Sequence, residues 1–200
     1  MRLKHFAAAS LLLALSAPAF AEVEHYTVDP EHTYVSMEVP HIQSISIWRG
    51  KFDHTQSGTI TLDRAKKTGT VDIVIDAASV DFGHKKLNEE LQEDKFFDTK
   101  KYPTATYKAD SIKFDGDSPA EVDGQLSLHG VTKPVALKIN SFKCITHPML
   151  KVPVCGADAS AEFDRSDFGI GYGVQFTGTG KVKLQIQVEA IQDSKPGPQH

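Results

Sequence analysis

Cysteine is nearly absent from this chain: 200 residues hold 2, beside 1 Trp and 3 Met. Two cysteines exclude a miniature scaffold held together by several disulfides, and a chain of this length can bury a core that is stable without staples or metals. Long runs of like charge are missing too, with 22 Lys and Arg against 26 Asp and Glu and a net charge of −4. That balance argues against nucleic acid, or an anionic bilayer surface, as the main partner. The G-x-S-x-G, H-E-x-x-H, Walker, dinucleotide-binding and C-x-x-C-H haem fingerprints do not occur. With 40% hydrophobic and 24% charged residues, wholesale disorder, collagen and a multi-span membrane protein are excluded as well.

What is present begins with Arg2, Lys4 and His5 ahead of the apolar run FAAASLLLALSAPAF, followed by Ala19 and Ala21 in A-x-A spacing before Glu22. Residues 1–21 read as a cleaved signal peptide. The run is shorter than the roughly 20 apolar residues a spanning helix needs, and no cysteine follows to accept a lipid, so stable membrane insertion is not expected. Cleavage after Ala21 leaves 179 residues with a net charge of −6. In an oxidising compartment, Cys144 and Cys155 are expected to form a disulfide. The segment between them also holds His147 and Met149. An alternative is therefore a metal- or redox-binding protein in which Cys144, His147, Met149 and Cys155 bind copper.

Alternation with period two dominates the rest. Val35, Met37 and Val39 share one face of a segment, as do Val71, Ile73 and Ile75, and then Val122, Gly124, Leu126 and Leu128. The beat continues in Val135, Leu137 and Ile139, in Ala157, Ala159, Ala161 and Phe163, and in Val182, Leu184, Ile186 and Val188. Such rows are strands with one buried face, and the short connections AKKTG, DGDSP and HGVTKP suit antiparallel neighbours. One stretch departs from this: HKKLNEELQ, with Leu87 and Leu91 at helical spacing, predicts a helix near 84–93. A second helical turn is expected around 42–47. About eight antiparallel strands in one domain, 22–192, with a tail over 193–200, leave a sandwich or a closed barrel. Small inward residues such as Ala157, Ala159 and Gly124 favour a barrel with an apolar cavity.

Read together, several strings resemble the YceI family of periplasmic polyisoprenoid-binding proteins. These are YTVDPEHTYVSMEVPH at 26–41, WRGKF at 48–52, SVDFG at 79–83, FFDTKKYPTATY at 96–107, GQLSLHGVTKPVAL at 124–137 and FDRSDFGI at 163–170. The resemblance implies an all-β fold, an extended lipocalin-like antiparallel barrel, which would sit in the periplasm. Its implied ligand is a long isoprenoid in the lumen, such as ubiquinone or a polyprenyl phosphate, held for transport or storage with no cofactor or metal. One departure is clear. Many members read RDxHL in the helix, whereas this chain reads LNEEL at 87–91, so any headgroup role of that Arg, Asp and His does not carry over. The Cys144–Cys155 loop looks like an insertion found in part of the family.

Candidate lumen residues follow from the inward rows: Val35, Met37 and Val39; Ile73 and Ile75; Leu126 and Leu128; Leu137 and Ile139; and Phe163. A polar and aromatic mouth is expected from His41, Trp48, Phe97, Tyr102, Arg165 and Phe168. The run at 164–169 reads as a strand-ending turn in which Arg165 contacts a carboxylate or reaches a ligand headgroup. Asp29 with His32 reads as a turn stabiliser. No catalytic residue is expected. An enzyme acting on an isoprenoid through His41 and Arg165 stands as a further alternative.

Overall fold

The period-two segments become strands throughout the computed structural model of the chain, which describes residues 23–194. The expected signal segment 1–21 and residues 195–200 of the expected tail lie outside the described residues. In chain order the strands are β1 (Glu24–Val28), β2 (Tyr34–His41), β3 (Ser46–Phe52), β4 (Thr55–Asp63), β5 (Thr68–Asp76) and β6 (Val80–Asp81). They continue as β7 (Thr104–Ala109), β8 (Ile112–Asp115), β9 (Ser118–Leu128), β10 (Val131–Thr146), β11 (Pro153–Asp164) and β12 (Lys181–Gln192). Helix α1 (Lys85–Leu91) falls within the expected 84–93, and a single turn, α2 (Val174–Thr177), precedes the last strand.

Eight strands close an antiparallel barrel in the order β1, β4, β5, β7, β9, β10, β11, β12 and back to β1. Of the remaining four, β2, β3 and β6 branch off this ring because β12 is long enough to serve two partners along one edge. Its last residues, Ala190 to Gln192, pair with Val28 to Tyr26 of β1. Its first half, Lys183 to Gln187, pairs with Glu38 to Tyr34 of β2, which carries β3 and then β6 with it. The short β8 pairs only with β9. Pairing also extends past the expected domain end at 192, since the Asp193 N–H donates to the His25 carbonyl and its carboxylate accepts from Thr27 Oγ1 at 2.8 Å.

The expected helical turn at 42–47 is instead the tip of the β2–β3 hairpin, with His41 opposite Ser46. Gln43 and Ser44 both have positive φ, 48° and 62°, and the Ile45 N–H donates to the Ile42 carbonyl. Two successive left-handed residues closing an i to i+3 bond make a tight turn that matches the strand twist. The β-rich sequence QSISI thus serves a hairpin.

Helix α1 starts at His84, whose Nδ1 accepts from the Leu87 N–H at 3.2 Å. Asn88 ties it to β6: its side-chain N–H donates to Asp81 Oδ1 at 2.6 Å, and its oxygen accepts from the Phe82 N–H at 2.9 Å. Leu87 and Leu91 then face the barrel core. At the far end, Cys144 of β10 lies opposite Cys155 of β11, and the two are bonded.

Candidate ligand-binding site

Because each strand sends alternate residues inward, the small rows leave space where large ones would have filled the barrel. The lumen is a single cavity of about 580 Å³, lined almost wholly by apolar side chains. All ten expected lumen positions line it: Val35, Met37, Val39, Ile73, Ile75, Leu126, Leu128, Leu137, Ile139 and Phe163. A concave, apolar lining of this kind suits an apolar occupant.

Tyr107, Ile73 and Leu137 pack against both halves of the core and form its waist. The Tyr107 hydroxyl shares its proton between the carbonyls of Val122 and Val135, at 3.0 and 2.8 Å. Burial pushes this phenol well above its ordinary pKa. The ring crosses Gly124, where a Cβ would collide with it, so a side chain is excluded at this point of β9.

One end of the lumen is sealed. Tyr26, Leu62, Ile112, Val122, Cys155 and Ala190 close it and are all buried. The Tyr26 hydroxyl donates to Glu24, which also accepts from Arg64 Nε at 2.9 Å. The opposite end is open. Ile42, Tyr172 and Phe176 line the cavity there and are 48%, 53% and 61% exposed. The β2–β3 hairpin tip reaches α2 through the Gln43 N–H, which donates to the Phe176 carbonyl at 2.8 Å. Across the opening Phe96 meets Tyr172 edge-on at 5.3 Å, with Lys95 Nζ over the Tyr172 ring. Trp48 sits among His41, Phe82 and His84, at 5.0, 6.5 and 6.2 Å between ring centroids.

Of the expected mouth residues, His41, Trp48, Phe97 and Arg165 line the cavity, and Tyr102 and Phe168 do not. Tyr102 packs outside on His129. Phe168 is 1% exposed and wedges against Phe163. Arg165 begins a 3₁₀ turn, Arg165–Phe168, and the expected carboxylate contact is not what holds it. Its Nη1 donates to the carbonyls of Ile170 and Tyr172, both at 2.8 Å. Asp164 caps the turn by accepting from the Ser166 N–H, and Asp167 faces Lys133. Arg165 is 9% exposed and its Nε is buried without a partner among the described residues. Burial lowers its pKa from the ordinary arginine value, and the nearby Asp164 charge works against that fall.

Other expected chemistry resolves locally. The sulfurs of Cys144 and Cys155 are joined to each other, while His147 Nδ1 accepts from the N–H groups of Met149 and Leu150 and so shapes the loop. Among the described residues no group of three or more His, Cys, Asp and Glu side chains is placed to hold a metal. His32 Nδ1 donates to Asp29 Oδ2 at 2.8 Å, and the other Asp29 oxygen accepts from the Glu31 N–H, which is a turn clamp. Among the described residues no helix is long and apolar enough to cross a membrane.

Several lining residues escaped the sequence reading. Tyr26 and Tyr107 had a usable signal, since EHYTV and TATYKA alternate as the recognised strands do. Phe142 did not, because the register shifts between Ile139 and Ser141 and the inward phase moves by one residue. Leu87 and Leu91 reach the lumen from outside the strands altogether.

Comparison with known proteins agrees with this architecture. The YceI-like domain family matches residues 26–190. A "UPF0312 protein" from Shewanella denitrificans is 31% identical over 191 residues, covering 94% of this chain and 98% of its own length. The crystal structure of Burkholderia cenocepacia BcnA superposes with a TM-score of 0.62 at 24% identity, over 78% of this chain and 95% of that one. A polyisoprenoid binding domain from Saccharophagus degradans, implicated in plant cell wall breakdown, gives a TM-score of 0.59 at 17% identity, over 84% and 98%. At these identities the two structures speak for the fold.

Proposed function

This chain belongs to the YceI-like domain family, and we propose that it is a periplasmic lipid-binding protein that holds a long-chain isoprenoid in its lumen for transport or storage. The observation that carries this reading is the apolar cavity of about 580 Å³, sealed at one end and open at the other. A blind tunnel of this kind suits a long flexible tail entering from one side. Each buried methylene-sized group gains about 0.8 kcal/mol, so a few prenyl units outweigh the cost of ordering the tail. The Saccharophagus degradans neighbour, a polyisoprenoid binding domain with the same fold, supports the ligand class. Ubiquinone-like lipids and polyprenyl phosphates both fit a tail-first mode. The paired cysteines agree with an oxidising compartment, and the 1–21 segment has the pattern of an export signal.

Binding explains the site better than turnover does. Among the described residues His41 has no acidic or nucleophilic hydrogen-bond partner and packs at a tilt against Trp48, while Arg165 bonds to backbone carbonyls. The test is extraction of protein purified from its native periplasm, with native mass spectrometry of the intact complex. One isoprenoid per chain is expected. Protein that is full length, folded and free of isoprenoid overturns the reading.

A further inference from the structure

The lining of the lumen is uniform except at one point. Among the described residues it includes no Asp or Glu, and beside the imidazole of His41 its one ionisable nitrogen group is the guanidinium of Arg165. Arginine stays protonated in proteins, so this is a fixed positive charge in an apolar container. Buried charges are normally paired, because an uncompensated one costs several kcal/mol. Here the compensation is partial. Nη1 is satisfied by two carbonyls, Nε is buried with no partner among the described residues, and the neighbouring carboxylates bond to the Ser166 N–H and Lys133.

Helix α1 supplies no rival polar group. It lines the cavity with Leu87 and Leu91, and its one amide, Asn88, is committed to Asp81 and Phe82. Arg165 is also placed by depth. It holds the carbonyl of Tyr172, whose exposed ring stands at the opening, while the sealed end lies beyond the waist at Tyr107.

We infer that Arg165 is a headgroup subsite, and that the lumen takes an amphiphile with an anionic oxygen head, a phosphate or a carboxylate, seated against its guanidinium. This rests on the carrier reading above and sharpens it to one class of ligand. The head stops just inside the mouth, and the tail runs past Tyr107 towards the disulfide end. A guanidinium meets such a head with charge-assisted hydrogen bonds that a neutral quinone or alcohol does not return in full.

Three probes with one tail separate the contributions: farnesyl phosphate, farnesoic acid and farnesol, titrated calorimetrically into delipidated protein. Both anions are expected to bind at least tenfold more tightly than farnesol. The larger margin of the two identifies phosphate or carboxylate as the preferred head. Arg165→Gln is expected to erase the margin between the anions and farnesol. Since Arg165 also ties down the Ile170 and Tyr172 carbonyls, a second readout uses the unmodified protein. The Arg165 Nε–H resonance should shift when farnesyl phosphate binds and stay in place with farnesol. Equal affinity for all three probes, a margin that survives Arg165→Gln, or an unmoved Nε–H resonance overturns the inference and leaves the carrier reading standing. Failure of all three probes to bind overturns the carrier reading itself.

Discussion

The two ends of the barrel are made from the same strands and finish in opposite states. At the disulfide end, Tyr26 and Leu62 are each 3% exposed, the phenol is bonded to Glu24, and β10 is pinned to β11 by Cys144 and Cys155. At the other end, strands give way to a hairpin tip, α1, a 3₁₀ turn and α2, and Ile42, Tyr172 and Phe176 stay exposed around the opening. The difference teaches where stability and access are separated. Continuous ladders seal, whereas side chains carried on turns and single helical turns leave a gap that a ligand can pass.

The strongest way to break this comparison is to fill the sealed half. Ala157→Phe combined with Ala159→Phe places two rings in the lumen from β11. Displacing four methylene-sized groups of a tail removes about 3 kcal/mol of binding, more than a hundredfold. Isoprenoid content measured by extraction should collapse while the melting temperature holds or rises; retained lipid would show that the tail does not reach this half.

Next come paired truncations. Leu62→Ala at the sealed end is expected to cost 2–5 kcal/mol in denaturant unfolding, and Phe176→Ala at the open end less than about 0.5 kcal/mol. Equal losses would contradict the division of labour. Replacing both Cys144 and Cys155 by Ser removes a cross-link over 11 residues of separation, worth about 2.8 kcal/mol by the chain-entropy relation. Calorimetry should then show a melting point lower by roughly 5–11 °C, with headgroup selectivity unchanged because Arg165 is at the other end.

The smallest effect belongs to the exposed Asp29–His32 clamp. The hydrogen bond to Asp29 raises the His32 pKa above its ordinary value of about 6.5. Burial works against ionisation of Asp29, but hydrogen bonds from His32 and the Glu31 N–H outweigh it and lower its pKa. The contribution of His32 is therefore complete below its unfolded pKa and lost as pH rises through the raised one. That of Asp29 is lost as pH falls through its lowered one. An NMR titration of His32 should give a midpoint above 6.5, returning to the ordinary value in Asp29→Asn; an ordinary midpoint in the unmodified protein would remove the clamp.

Much of the lumen was legible because a barrel wall has one inside. A residue such as Leu126 or Ile186 is committed inward by its phase alone, whatever its partner strand. The reading faltered where phase is reset, as at the β10 bulge before Phe142, and where a local pattern had two outcomes, as in QSISI, which closes a hairpin. Tyr102 and Phe168 have the right chemistry for a mouth, yet neither lines the cavity, Tyr102 packing on His129 and Phe168 on Phe163. That outcome depends on contacts from distant parts of the chain.

The sequence by itself determined the strands, their inward faces, the small residues that leave a cavity and the cysteines that can pair. Each of these is local, set by a two-residue period and by side-chain volume. Which end is open, and which charge is held by backbone carbonyls instead of a carboxylate, was decided only by the tertiary structure. Closure depends on β1 meeting β12 from opposite ends of the described chain. Among the described residues Arg165 bonds to the Ile170 and Tyr172 carbonyls and not to a carboxylate, while Asp164 caps its own turn and Asp167 faces Lys133.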